Sequence, residues 1–320
     1  MLALAVLASV EFGVSRSDWS YRMFPSSYVG EFLALEKKLR ANTIAPVVLL
    51  LGDSRTQCGI LPRVLEQELG EPSGSVWNAA LSSGDTFDAY LIHDRNRDRF
   101  KAARVVVFCV DAYQFNDGLH FIGSRRLQHF GSLADRQRLD RSTSSILGYF
   151  FHTLQERKLF LALGRRLLVR LHRSLASEVA PDSLAEEEPA PPLWQTDVRE
   201  RIRTFYKDFQ LSSGGRHYLE VLLSRCRADG QQVILIEMPF RDAYMAELKA
   251  SRLTEYNAYR SCVLEVDPQT VFFEEGSRYG LQAGDFRDWD HLDEKGARKF
   301  SVLFAAFLRA RCSGLGTGRL

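Results

Sequence analysis

Two short stretches hold the residue types from which a nucleophile can be made. Ala45-Pro46-Val47-Val48-Leu49-Leu50-Leu51-Gly52-Asp53-Ser54 runs from an apolar segment into a Gly-Asp-Ser corner, and Asp288-Trp289-Asp290-His291 lies far downstream. A serine hydroxyl is a weak nucleophile until a base takes its proton and a third group holds that base in register. An Asp three residues before a His, on a loop entering a helix, can turn back to accept the imidazole Nδ1–H. That leaves Nε2 to face a serine as the base. The same carboxylate stabilises the imidazolium as it forms. None of the other six histidines has an Asp at this spacing directly before a strong C-terminal helix. Asp290 and Asp293 are rival partners for His291, but Asp290 is adjacent and less able to reach round, and Asp293 is more simply a helix cap. This reading makes Ser54 the nucleophile, His291 the base, Asp288 the group that orients it, and the Ser54 N–H a donor to an oxyanion.

Such residues work only if the fold carries them to one place. Five aliphatic or β-branched runs stand out: Val47–Leu51, Ser75–Ala79, Arg104–Val110, Gln232–Met238 and Thr270–Glu274. Several are apolar at nearly every position, as in strands covered by helices on both faces. Between the first two lies Leu61–Gly70, a helix pattern with Pro62 at its first position and Gly70 as its C-terminal cap. Residues 86–100 and 241–264 also read as helices. Asp293 can cap a last helix, Glu294–Arg311, with Phe300, Leu303, Phe304, Phe307 and Leu308 as its buried stripe. Alternating strands and helices predict an α/β three-layer sandwich around a parallel sheet. In such a sheet ligands gather beyond the carboxyl ends of the strands, where strand order reverses, and Ser54 follows the first strand there.

The chain of 320 residues is 45% apolar and 26% charged, with 42 Lys plus Arg against 40 acidic residues. That composition supports a sizeable core, and the near balance of charge gives no case for nucleic-acid binding. Cys58, Cys109, Cys226, Cys262 and Cys312 show no metal-ligand spacing, so no zinc site is expected. Their odd number forbids complete pairing within the chain, although Cys226 and Cys262 can pair. The apolar run Met1–Val10 is shorter than the ~20 residues of a membrane span and lacks the basic start of a signal peptide. It reads as the tail of an anchor helix or as an ordinary N-terminal helix.

The segment between the third and fourth strands is too long for one crossover, so residues 118–215 are expected to hold a helical insertion. Over 121–178 it carries 11 basic against 4 acidic residues. Residues 146–171 mix Phe150, Phe151, Leu154, Phe160, Leu163, Leu167 and Leu168 with Arg157, Lys158, Arg165, Arg166 and Arg170. A basic amphipathic helix of this kind suits a membrane surface or a partner, or else a cap on its own domain. Glu186–Pro192 is acidic and proline-rich and reads as a loop. The expected division is a lead-in over 1–44, an α/β domain from 45–117 and 216–320, and the insertion over 118–215.

The Gly52-Asp53-Ser54 turn and Asp288-x-x-His291 resemble the first and last blocks of the SGNH, or GDSL, hydrolase superfamily. The resemblance covers about 45–115 and 230–310. It implies a flavodoxin-like sheet of five parallel strands ordered 2-1-3-4-5 and a Ser-His-Asp esterase site with no cofactor and no metal. It also implies a glycine N–H after the second strand and an asparagine side chain after the third as further oxyanion donors. Gly84, in Asn78–Thr86, is the natural match for the glycine, with the Ser83 N–H as competitor because the spacing runs one residue long. The third block departs from the family. Asn116-Asp117 comes several residues late, and Asp111, nearer the strand end, would repel an oxyanion unless protonated or paired. Asn116 is therefore the third donor only if it folds back.

The anchor-like start, loosened third block and long insertion look closest to divergent membrane-associated bacterial members resembling polysaccharide O-acetylation proteins. That likeness implies a cell-envelope location and acyl transfer to or from a glycan or cell-surface polymer, with a membrane-bound acyltransferase as partner. The rival expectation is a catalytically silent module that binds glycan or scaffolds such a complex. A third is a soluble lipase-like enzyme with the insertion as its lid.

Overall fold

The computed structural model describes residues 11, 18–22, 24–119, 124–140, 142–151, 197–312 and 315. The run Met1–Val10, most of 146–171 and the acidic stretch Glu186–Pro192 lie outside the described residues. The chain forms two compact units, Met1–Ala34 with Arg125–Pro192, and Leu35–Ser124 with Leu193–Leu320.

The second unit is built on five parallel strands: β1 (Val48–Leu51), β2 (Val76–Asn78), β3 (Val105–Cys109), β4 (Gln232–Glu237) and β5 (Val271–Phe272). Their order is β2-β1-β3-β4-β5, with Leu50 opposite Asn78 on one side and Val107 on the other. This is the expected α/β arrangement, and each strand falls within two residues of its apolar run. Strands β1 and β3 are buried throughout because both sheet faces carry helices. Side chains alternate between the faces. Val48, Leu50, Val105, Val107, Ile234 and Ile236 share one core cluster with the helical residues Leu65, Leu69, Phe300, Phe304 and Leu308. Leu49, Val106, Phe108 and Leu235 are the alternate residues and are equally buried.

The helices that matter for the site are α1 (Ser54–Gly59), α2 (Pro62–Leu69), α3 (Thr86–Arg95), α4 (Val198–Phe205), α5 (Ser213–Ala228), α6 (Asp242–Ser251), α7 (Leu253–Val266) and α8 (Glu294–Arg311). Helix α2 starts on Pro62 and ends on Gly70 at φ 67°, a left-handed cap for which glycine is suited. The patterns at 86–100 and 241–264 are each two helices. The breaks fall at Asn96 and Arg252, neither of which is a Gly or Pro. Asp293 caps α8 through the Gly296 N–H at 2.7 Å. All five cysteines are free, so Cys226 and Cys262 are not bridged.

In the first unit Tyr21, Val29 and Leu33 form a small cluster with Phe130 against it. Two buried arginines tie this unit's turns together: Arg126 donates to Tyr28 O at 3.0 Å, and Arg136 to Ser145 O at 2.8 Å. Leu147, Phe150 and Phe151 are about half exposed. Among the described residues no helix is long and apolar enough to cross a membrane.

Candidate active site

Strand β1 ends at the point where strand order reverses, between β2 and β3. Gly52 turns the chain there at φ 143°, and a side chain at that position would meet Cys109 Cβ at 3.1 Å. Asp53 then accepts the N–H groups of Arg55 and Thr56 at 2.9 and 3.3 Å, starting helix α1. That cap leaves the N–H of Ser54 without an acceptor among the described residues, as befits the first residue of a helix. Ser54 is half-buried, with its side chain turned to the loop before α8.

Ser54 Oγ lies 2.8 Å from His291 Nε2. On the other side of the ring, Nδ1 is 3.0 and 2.9 Å from the two oxygens of Asp288. Asp288 is itself held by the N–H groups of Asp290 and His291, at 3.1 and 2.7 Å. Three residues that the sequence singled out are thus in one line of hydrogen bonds. Asp290, expected to be poorly placed, does reach the ring: its Oδ1 is 3.3 Å from Nδ1.

The other two expected donors are occupied elsewhere. Gly84 N–H donates to Leu81 O at 2.9 Å, and Gly84 O accepts from Tyr113 Oη at 2.9 Å. A Cβ on Gly84 would lie 2.7 Å from Gly52 O, so close backbone approach explains the glycine. Its neighbour Ser83 sits at φ 51°, a left-handed conformation unusual for serine, and its N–H takes no acceptor among the described residues. Asn116 does not fold back. Its Nδ2 donates to Phe205 O and Lys207 O at 3.0 and 3.2 Å, and its Oδ1 accepts from Gly118 N and Gln210 N. Its capacity goes into pinning the 205–210 segment and the turn at Gly118.

What the sequence did not single out is Arg55, 3% exposed. Its guanidinium donates to Asp111 Oδ2, to Met238 O and, at 3.1 Å, to Asp290 O. It also lies 3.9 Å from the centre of the Phe240 ring. Asp111 is therefore paired. Arg201, on α4, places one nitrogen 3.1 and 3.0 Å from the two oxygens of Asp290. The only signals in the sequence were that Arg55 adjoins Ser54 and that Asp111 needed a counter-charge.

Titration follows from these contacts. Burial opposes a charge on His291, but hydrogen bonds to Asp288 and Asp290 and their charges outweigh it, raising the imidazole from 6.5 to about 9. Burial likewise works against an ionised Asp290, yet His291, Arg201 and Arg55 hold its carboxyl well below the usual range. Burial pushes Asp111 up to about 6, with Arg55 pulling it back. Asp288, Asp290 and His291 are also close enough together to share a cation. Arg201 and Arg55 already supply positive charge there, and Nδ1 stands at hydrogen-bond distance from a carboxylate. The set therefore fits an acid pair on an imidazole better than a metal's ligands.

No protein-family model matches the chain, and no curated protein matches it either. Among solved structures it is similar to one provisionally named a platelet activating factor from Streptococcus pneumonia. The identity is 11%, the match covers 91% of this chain and 99% of that one, and the TM-score is 0.41.

Two outcomes are expected. Arg55→Met leaves Asp111 buried without its partner and should cost about 3–5 kcal/mol in urea denaturation, with Arg55→Met/Asp111→Asn recovering part of the loss. His291 has its folded-state value raised, so its stabilising contribution is complete below pH 6.5 and disappears as pH rises through about 9. Denaturation midpoints measured from pH 6 to 10 should therefore converge between wild type and His291→Asn at the alkaline end. A constant gap would contradict the assignment.

Proposed function

We propose that this chain is a serine-dependent carboxylic-ester hydrolase or O-acyltransferase. The observation that supports it is the contact of Ser54 Oγ with His291 Nε2 at 2.8 Å, backed by Asp288 on Nδ1. In this reading Ser54 Oγ attacks an acyl carbonyl carbon while its proton passes to Nε2. Asp288 keeps the ring oriented and stabilises the imidazolium. The carbonyl oxygen becomes an oxyanion, which the N–H of Ser54 receives. The N–H of Ser83 takes the place first given to Gly84. His291 returns the proton to the departing alkoxide as the C–O bond breaks, leaving acyl-Ser54. Water or a sugar hydroxyl then attacks with the same base, and Ser54 is released.

An oxyanion site short of the asparagine donor is weaker by about 3 kcal/mol in the barrier, which suits slow turnover. The preference for acetyl esters of a glycan or cell-surface polymer, a membrane-bound acyltransferase as partner and a cell-envelope location rest on the sequence resemblance alone. The second reading, a silent glycan-binding or scaffolding module, is favoured by one observation: the N–H of Gly84 and the amide of Asn116 are both spent on the fold.

Hydrolysis of short p-nitrophenyl esters separates the two. Wild type should turn over, with kcat/KM rising as pH climbs toward about 9, because only the neutral imidazole accepts a proton. Ser54→Ala should lower kcat at least about 10⁴-fold. No turnover by wild type, or equal rates in the variant, favours the silent module.

A further inference from the structure

His291 offers one Nδ1–H to two carboxylates. Asp288 stands at 3.0 and 2.9 Å and Asp290 at 3.3 Å. A hydrogen shared between them would let the ring tilt away from Ser54, since its aim depends on which acid it follows. The two acids are supported differently. Asp288 is fixed by two backbone N–H groups of its own loop. Asp290 is fixed from outside: Arg201 binds both of its oxygens, and Arg55 Nε holds its backbone carbonyl at 3.1 Å. Arg201 lies over the Phe205 ring at 4.2 Å, and Phe205 in turn packs on Tyr113 at 5.5 Å. The buried Nε of Arg201 has no partner among the described residues, and Asp290 is its one acceptor there. A guanidinium held this way, 14% exposed, has little else to do than face Asp290.

We propose that Arg201 is a positioning residue for the base: by engaging both oxygens of Asp290 it weakens the rival carboxylate's pull on Nδ1 and leaves Asp288 to aim the imidazole at Ser54. The inference rests on the ester-cleaving reading of this site. The charged and titratable groups around the ring are Asp288 and Asp290 from its own loop and Arg287, whose Nε is 3.8 Å from Asp288 Oδ2. From other elements come Arg55 on α1, Arg201 on α4, Asp111 beyond β3 and Tyr244 on α6. Among the described residues only Arg201 pairs its side chain with that of Asp290 apart from the imidazole itself. Without it, Asp290 would keep only Arg55 as a nearby counter-charge beside the ring, and its stronger pull would hold the imidazole's proton to higher pH.

The test compares wild type, Arg201→Gln, Arg201→Lys, Asp290→Asn and the double variant Arg201→Gln/Asp290→Asn. Two quantities are read: kcat and KM for a short acyl ester, and the titration midpoint of His291 by NMR of histidine-labelled protein. Arg201→Gln should raise the midpoint by about one pH unit and lower kcat at neutral pH about tenfold, with KM nearly unchanged. Arg201→Lys should keep the wild-type midpoint. The double variant should bring the midpoint back to the wild-type value or below and regain most of kcat, because removing the rival acid removes the need for Arg201.

A lowered or unchanged midpoint in Arg201→Gln overturns the proposal. So does a double variant as slow as the single one, or a rise in KM alone, which would make Arg201 a substrate-anion contact. Should Arg201→Gln fail to fold, Asp290→Asn decides by itself: its midpoint must fall, and an unmoved midpoint overturns the idea. If wild type cleaves no ester, the proposed function fails, yet the NMR midpoints still decide whether Arg201 governs the ring.

Discussion

A guanidinium removed from water is tolerated only when its N–H groups find acceptors and its charge finds a counter-charge. Arg55 meets both conditions by reaching the ends of three separate strands' connections at once. It stands one residue after Ser54, following β1. It pairs with Asp111 beyond β3, bonds Met238 O beyond β4, and holds Asp290 O in the loop that carries His291. Burial disfavours its charge, but Asp111, Asp53, Asp290 and Glu237 more than offset this and keep it protonated. The geometry of Ser54 and His291 depends on this cation, because the two lie on segments with no covalent reason to meet. Each is fastened within a residue of the same guanidinium.

The remaining charges fit around that hub. Asp111 would repel negative charge at the strand ends if it stood alone, and Arg55 neutralises it. Asp290 would compete for the ring, and Arg201 engages it. Asp53 caps α1 and also meets Tyr113 Oη at 3.1 Å, joining the turn after β1 to the segment after β3. Glu237, fully buried on β4, is pushed up to about 8 by burial, with Asp111 nearby adding to the shift and Tyr256 opposing it through a 2.7 Å hydrogen bond. The sheet's carboxyl edge is therefore lined by a network of polar contacts, with Ser54 partly exposed at its surface.

The sheet was legible because β1 and β3 are apolar at every position and bounded by clear helix patterns, so strand identity and order followed from periodicity and resemblance. Ser54, Asp288 and His291 were legible as neighbours because their chemistry is local: a turn after a strand, and a carboxylate three residues before an imidazole. Asn116, expected as a donor only if it folded back, and Gly84, offered beside Ser83, are engaged elsewhere for a common reason. Their residue types suit an oxyanion donor, but hydrogen-bond capacity is assigned by tertiary neighbours. Asn116 spends its amide on 205–210, and Gly84 is a glycine because Gly52 O leaves no room for a side chain. Arg201 was silent in the sequence and Arg55 was marked only by its place after Ser54 and by the counter-charge Asp111 needed, since nothing local distinguishes a buried arginine from a solvated one. The breaks at Asn96 and Arg252 were equally hidden, with no Gly or Pro to mark them.

In the proposed reaction everything turns on Ser54 being an activated nucleophile. Incubation with a fluorophosphonate followed by peptide mass spectrometry tests it most directly. One covalent adduct is expected, on Ser54, and it should be lost in His291→Ala although the serine remains. An unmodified Ser54, or an adduct formed equally well without the imidazole, would contradict it.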